Sequence, residues 1–241
     1  MKDLWITKTP IAHRGLHSND SIYPENSLIA IKKAIEKNIP IEIDVQLSKD
    51  EEIVVFHDFD VSRMCNKNKK ASELTLKELK KLYLKAGTEK IPTLKEVFDI
   101  VCGKIPILIE IKNFGFPGKL EKRVNNAIKN YKGKIAIQSF NPFTILRFKK
   151  NNPNILRGQL SSSFKGITIP FFIKYILKNM FLNIFTKPDF LAVDLSLLED
   201  LKFRKRYKNK TIILGWTIDN YEKQSKVKEL CDNYIFELID I

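Results

Sequence analysis

Cysteine is scarce in this chain: Cys65, Cys102 and Cys231 stand alone among 241 residues, an odd and widely spaced set. Such a set makes no disulfide framework, and reduced thiols in a cytosolic protein are the simpler expectation. There is no Cys-x-x-Cys pair and no Cys/His cluster, which removes zinc held on sulfur from consideration. Gly/Ser linkers, low-complexity tracts and internal repeats are also missing, so residues 1–241 are expected to form one domain. The first ten residues hold Trp5 and Ile6 but no apolar run long enough for a signal peptide. The apolar stretch near residues 169–185 is interrupted by Lys174 and Lys178, which argues against a helix that spans a bilayer. Only three histidines occur: His13, His17 and His57.

What is present fits a globular protein, with 44% hydrophobic and 29% charged residues. Forty-two basic against 28 acidic residues leave a formal charge of +14, a bias toward phosphate esters, anionic lipid or nucleic acid. The basic runs 67–70 and 204–210 lack the interleaved aromatics of a single-strand platform. No nucleic-acid partner is expected from them.

Period-2 or short apolar runs at 10–14, 41–47, 53–57, 105–112, 134–140, 155–160, 190–194, 211–218 and 234–238 predict strands. Helical periodicity predicts helices at 26–37, 76–84, 94–101, 119–131, 142–151, 170–185, 197–207 and 221–230. The alternation favours a parallel α/β architecture. Leu47 and Ile53 are too close for a parallel crossover, so the run at 53–57 is expected to fold back as a hairpin strand. Eight strands remain. The fold expected is a (β/α)8 TIM-type barrel with an extra β-hairpin strand and a short insertion after strand 2, near the usual ~250 residues of that fold.

Strand alternation then sorts the charges. Ile41, Ile43, Val45 and Leu47 face the helices, which sends Glu42, Asp44 and Gln46 toward the barrel axis. The same parity puts Glu110 and Lys112 beside Leu108. Two carboxylates on alternate strand residues lie roughly 6 Å apart and repel by about 3 kcal/mol at an effective dielectric near 20. Enclosure adds desolvation, and a divalent cation offsets both. Hard oxygen donors alone select Mg²⁺ or Ca²⁺, with Mn²⁺ also compatible, over zinc or copper. His13 and Arg14 emerge at the end of the first strand, and His57 ends the hairpin strand. A single histidine at a strand end is usually structural; two beside a carboxylate set and an arginine point to acid–base chemistry. Arg14 and Lys112 suit phosphate oxygens, and Trp216 at another strand end suits the organic part of a substrate. His17 lacks such a context and reads as a loop residue.

The ordered blocks His13-Arg14-Gly15, Pro24-Glu25-Asn26-Ser27, Glu42 to Ser48 with Asp50, Val54 to Asp58, Ile91 to Glu96, Glu110-Ile111-Lys112, Gln138-Ser139-Phe140 and Trp216-Thr217 resemble the glycerophosphodiester phosphodiesterase family over nearly the whole chain. The resemblance implies metal-dependent cleavage of glycerophosphodiesters to sn-glycerol 3-phosphate and an alcohol. It implies a divalent cation on Glu42, Asp44 and Glu110, acid–base roles for His13 and His57, phosphoryl binding by Arg14 and Lys112, and a place near the pocket for Glu25, positioning the histidine or the arginine. Lysophospholipase D-type hydrolysis at a membrane surface, or an inactive phosphate- or nucleic-acid-binding barrel, are the alternatives. The ending Tyr234-Ile235-Phe236-Glu237-Leu238 departs from the family's Gly-Ile-x-Thr-Asp/Asn-x-Pro, and the segment 59–90 leaves little room for a large cap over the substrate.

One feature lies outside the resemblance. Ile169, Phe172, Ile173, Ile176, Leu177, Met180, Phe181 and Ile184 recur at helical spacing, widened by Phe171, Tyr175, Leu182 and Phe185. A barrel helix packed on the sheet is the simpler expectation. A basic amphipathic patch touching an anionic membrane is the sharper one, giving a cytoplasmic protein with peripheral membrane contact.

Overall fold

The computed structural model describes residues 4–113, 115–166 and 168–241. Its strands are β1 (Ile11–Ala12), β2 (Ile41–Leu47), β3 (Ile53–Val55), β4 (Ile107–Ile111), β5 (Ile135–Ser139), β6 (Leu156–Ser161), β7 (Phe190–Asp194), β8 (Ile212–Ile218) and β9 (Asn233–Phe236). Eight of them pair in parallel in the order β1-β2-β4-β5-β6-β7-β8-β9, and β1 pairs with β9 to close the ring. The ninth, β3, lies outside the ring and runs antiparallel to β2, with Val45 opposite Val55. This is the expected (β/α)8 barrel with its hairpin strand.

Local chemistry sets where the helices begin. Ser27 caps Leu28–Glu36 by accepting the Ala30 N–H, and Thr93 with Glu96 forms a reciprocal cap on Leu94–Val101. Asn141 caps Pro142–Asn151, where Pro142 gives up an N–H that no helix bond would use. Each of these helices then presents an apolar stripe to the ring.

Two apolar layers result. Outside the ring, Ile41, Ile43, Val45, Ile107 and Ile109 are buried against Ile31, Val97, Val124 and Phe148 of the helices. Inside it, Leu108, Ala136, Leu160, Ala192, Leu214 and Ile235 fill the barrel, with Trp5 and Ile6 packed into the same cluster. Asn233 Nδ2 donates to the carbonyls of Ile6 and Thr9, both at 2.8 Å, which fixes that N-terminal turn. Fully burying one such side chain is worth about 1.5–3 kcal/mol. A one-residue slip of β2 would exchange three buried aliphatics for two carboxylates, so the outer layer dictates which way Glu42 and Asp44 point.

Three helical expectations change. The helix expected at 76–84 ends at Leu79, and the chain continues through a short 3-10 turn, Leu84–Ala86. The one at 197–207 divides into Leu195–Leu198 and Leu201–Tyr207, because Asp200 starts a new helix by capping Lys202 and Phe203. The one at 170–185 divides into Phe171–Lys178 and Asn183–Thr186. There Met180 adopts a left-handed backbone (φ 53°) with its side chain buried, which stops the first helix. No residue of Phe171–Lys178 is buried. Of the expected stripe Met180 packs into the core and Ile176 and Leu177 are half-buried, while Phe171, Phe172, Phe181 and Ile184 stay exposed, so the stripe packs on the barrel only in part. Among the described residues no helix is long and apolar enough to cross a membrane.

Segment 59–90, the short insertion after the hairpin, packs Val61, Met64, Ala71, Leu74, Leu79 and Leu84 on Val54 and Phe56. That small cluster steadies the hairpin from its outer side.

Candidate active site

Parallel register brings the acids together: Asp44 of β2 stands opposite Glu110 of β4, which stands opposite Gln138 of β5. Ligand oxygens of Glu42, Asp44 and Glu110 all lie within 4.8 Å of one another. Glu42 is 1%, Asp44 0% and Glu110 9% exposed. Some of their oxygens are engaged. Glu42 accepts the Arg14 backbone N–H at 3.1 Å, and Asp44 accepts Asn26 Nδ2 at 2.9 Å. Glu42 Oε1 and Asp44 Oδ1 are buried and accept no hydrogen bond. Such orphaned anionic oxygens are expensive to leave unpaired.

Two cations share the enclosure. Lys112 Nζ lies 3.1 Å from Glu110 Oε1 and 3.6 Å from Asp44 Oδ1. Arg14 donates from Nη1 to Glu25 Oε1 at 2.7 Å, with Nε 3.4 Å from Asp44 Oδ2. Arg14 (φ 53°) and Asn26 (φ 57°) both hold left-handed backbones, which is uncommon for arginine. Gly15 (φ 78°) completes the turn after Arg14, where an added Cβ would meet Ala30 at 3.3 Å.

Three carboxylates against two cations leave an excess of negative charge. Burial, then the charges of Asp44 and Glu110, push the Glu42 carboxyl well above its ordinary range. Burial and Asp44 also raise Glu110, against the pull of Lys112. Burial alone would raise Asp44, but Lys112, His57 and Arg14 hold it below the usual carboxylate range. Asp44 is thus the firmly ionised member of the trio.

Both imidazoles carry a carboxylate on Nδ1. His13 Nδ1 is 2.6 Å from Glu237 Oε2, and His57 Nδ1 is 2.6 Å from Asp58 Oδ1. This leaves Nε2 of each ring as the nitrogen available for proton transfer. Burial lowers the His13 pKa, and the Arg14 charge lowers it further, while Glu237 opposes both. The hairpin is tied to the ring by Gln46, whose Nε2 donates to the carbonyls of Phe56 at 2.9 Å and Asp58 at 2.7 Å. Arg63 joins the two sides: it binds Glu25 through two nitrogens at 2.7 and 2.8 Å and Asp58 through Nε at 2.6 Å.

Three aromatic rings form a wall by contacting one another. The Trp216 ring on β8 meets Phe140 edge-on at 5.7 Å between centroids, and Phe140 meets Phe164 at 6.0 Å. Phe140 follows β5 and Phe164 follows β6, so all three rings sit toward the strand ends where barrel enzymes build their sites.

The structure therefore gathers Glu42, Asp44, Glu110, Lys112, Arg14 and Glu25 into one network, with His57 and His13 close enough to influence Asp44. Trp216 belongs to the wall instead. Glu237, Asp58, Arg63 and Gln46 were not among the expected site residues, and His17 is not a free loop residue: its Nε2 lies 3.4 Å from Glu237 Oε2. Glu237 could have been found by the signal that found the others, a carboxylate closing an apolar strand, Tyr234-Ile235-Phe236.

Comparison with known proteins settles the lineage. A family model described as the glycerophosphoryl diester phosphodiesterase family matches residues 13–235. The chain belongs to that family. A glycerophosphodiester phosphodiesterase of Caldanaerobacter subterraneus subsp. tengcongensis is 34% identical over 229 residues, covering 90% of this chain and 88% of that one. Among solved structures, one from Thermotoga maritima has a TM-score of 0.71 at 29% identity, covering 95% of this chain and 94% of the other. An Oleispira antarctica phosphodiesterase, solved with the product sn-glycerol-3-phosphate, has a TM-score of 0.75 at 24% identity and shares the fold over 95% of this chain and 92% of its own. As a member of this family the chain is an enzyme, a phosphoric diester hydrolase.

Proposed function

We propose that this enzyme hydrolyses glycerophosphodiesters to sn-glycerol 3-phosphate and an alcohol in the bowl formed by Glu42, Asp44, Glu110, Arg14, Lys112, His13 and His57. The observation that carries the reading is the carboxylate trio with two orphaned buried oxygens, set beside two imidazoles whose Nδ1 atoms are both taken by carboxylates. Binding alone needs no such pair of imidazoles.

The donor set fits one divalent cation, Mg²⁺ or Ca²⁺ (Mn²⁺ is compatible): three hard carboxylates, two buried oxygens that accept no hydrogen bond and an excess of negative charge. When bound, such a cation supplies electrostatic stabilisation of the phosphoryl oxygens. The chain's own groups do the rest. Arg14 and Lys112 lie against Asp44 and hold phosphoryl charge as it builds. One Nε2 takes the proton of the attacking hydroxyl while a new P–O bond forms. The other Nε2 returns a proton to the alkoxide as its P–O bond breaks. Glu25 positions Arg14 through their 2.7 Å bond. The wall of Trp216, Phe140 and Phe164 receives the organic part of the substrate. Three unpaired cysteines agree with a reducing cytoplasmic setting.

The test is release of glycerol 3-phosphate from glycerophosphocholine with Mg²⁺, with Ca²⁺ and with chelator. Turnover is expected only with a divalent cation, and His13→Ala and His57→Ala are each expected to lose about 10²–10⁴-fold in kcat. Undiminished turnover in chelator, or by either variant, would contradict the reading.

A further inference from the structure

The apolar helix that packs only in part on the barrel leaves a surface to explain. Phe171 is 81% and Phe172 64% exposed, and Ile184 and Phe185 farther along the same segment are exposed as well. Isolated exposed apolar residues are ordinary, but a contiguous aromatic patch on a globular protein marks an interaction surface. The patch does not end with this segment. Phe116, 90% exposed in the loop after β4, stands 6.1 Å from Phe143, half-exposed at the start of the helix after β5. Phe171 and Phe172 follow β6. Strands β4, β5 and β6 are neighbours in the ring, so exposed aromatics emerge from three adjacent loops at the end that carries the site.

The segment itself carries charge of one sign, although Lys178 reaches Asp200 at 3.8 Å. From residue 161 to residue 188 the sequence contains Lys165, Lys174, Lys178 and Lys187 and no aspartate or glutamate. The whole chain carries +14. We infer that this aromatic, lysine-bearing rim docks the enzyme on an anionic phospholipid bilayer, with Phe171 and Phe172 entering the headgroup–acyl boundary and Lys165, Lys174 and Lys187 facing lipid phosphates. In Phe171–Lys178 the lysines flank the rings, since Phe171, Lys174, Tyr175 and Lys178 recur at i, i+3, i+4 and i+7, and aromatics bordered by lysines suit an interfacial anchor. A second copy of this chain fits less well, since pairing two such rims would bring eight lysines together without an acid from either segment. The inference does not depend on the reading of the active site, since docking is measured without turnover.

The experiment is co-sedimentation with phosphatidylglycerol/phosphatidylcholine vesicles and with pure phosphatidylcholine vesicles at low salt, using the full chain. Expected are binding to anionic vesicles, about tenfold or more weaker binding to neutral ones, and loss of binding at high salt. Phe171→Ser/Phe172→Ser is expected to lower the anionic-vesicle partition by about tenfold or more while leaving thermal unfolding and turnover of water-soluble glycerophosphocholine unchanged. Lys165→Glu/Lys174→Glu is expected to do the same through charge. No binding to anionic vesicles, equal binding by both variants, or a concentration-dependent dimer lost on the phenylalanine substitutions would each overturn the inference.

Discussion

Substituting Glu42 by Gln should stabilise the metal-free enzyme while weakening its response to metal, an unusual pairing of signs. Oxygens of Glu42, Asp44 and Glu110 lie within 4.8 Å of one another, and at an effective dielectric near 20 each ionised pair repels by about 3 kcal/mol. Burial and the charges of Asp44 and Glu110 already favour the neutral Glu42 carboxyl, and the glutamine carbonyl can still accept the Arg14 N–H. A net gain of about 1–2 kcal/mol is therefore expected in chelator, or roughly 2–8 °C in Tm for a chain of this size. In wild type, metal at a hundred times its Kd adds about 2.7 kcal/mol. Glu42→Gln should lose more than half of that response, because one of three charged ligands is gone. The sign with pH follows from the raised Glu42 pKa. A carboxyl whose folded pKa lies above its unfolded value favours the fold fully below the unfolded value and loses that contribution as pH rises through the folded one. In chelator the Tm gap between variant and wild type should accordingly widen as pH rises and close as Glu42 protonates. Thermal unfolding with EDTA, Mg²⁺ and Ca²⁺ reads all of this without turnover. A variant that melts below wild type in EDTA, or keeps the full metal response, would refute the reasoning.

The two other expectations concern residues that hold reactive groups in place. Glu237→Gln removes the charge from the 2.6 Å contact with His13 Nδ1; steady-state kinetics should show kcat down about 10–100-fold with KM little changed, the scale of a lost charge-assisted hydrogen bond. A purely structural Glu237 would lower Tm and leave kcat alone. Arg14→Lys keeps a positive charge, but one ammonium cannot reproduce a guanidinium that reaches both Glu25 and Asp44; kcat/KM should fall about 10–100-fold, and an unchanged value would remove Arg14 from phosphoryl binding.

The alternation of Ile41, Ile43 and Val45 with Glu42 and Asp44 made the inner face of β2 legible before any coordinates, because burying the wrong set is so costly. The hairpin was legible for a similar reason, as five residues cannot cross a barrel. Helix ends were less so. Met180 and Asp200 stop or restart helices through backbone conformation and capping, which compete with periodicity and leave it unchanged. Periodicity also misled at Phe171–Lys178, since an apolar stripe reads alike whether protein or something else covers it. The Nδ1 partners were the hardest. Glu237 lies 224 residues from His13, and only closure of β9 onto β1 makes them neighbours.

Arg63 sits on the outside of the site, with nearly half its side chain in solvent, yet it grips the acid that steadies Arg14 and the acid that steadies His57. Arg14 and His57 are thereby yoked through one peripheral guanidinium. Damage to either acid loosens the other's anchorage, so paired substitutions at Glu25 and Asp58 would not sum, and drift at this outlying position is less free than its accessibility implies.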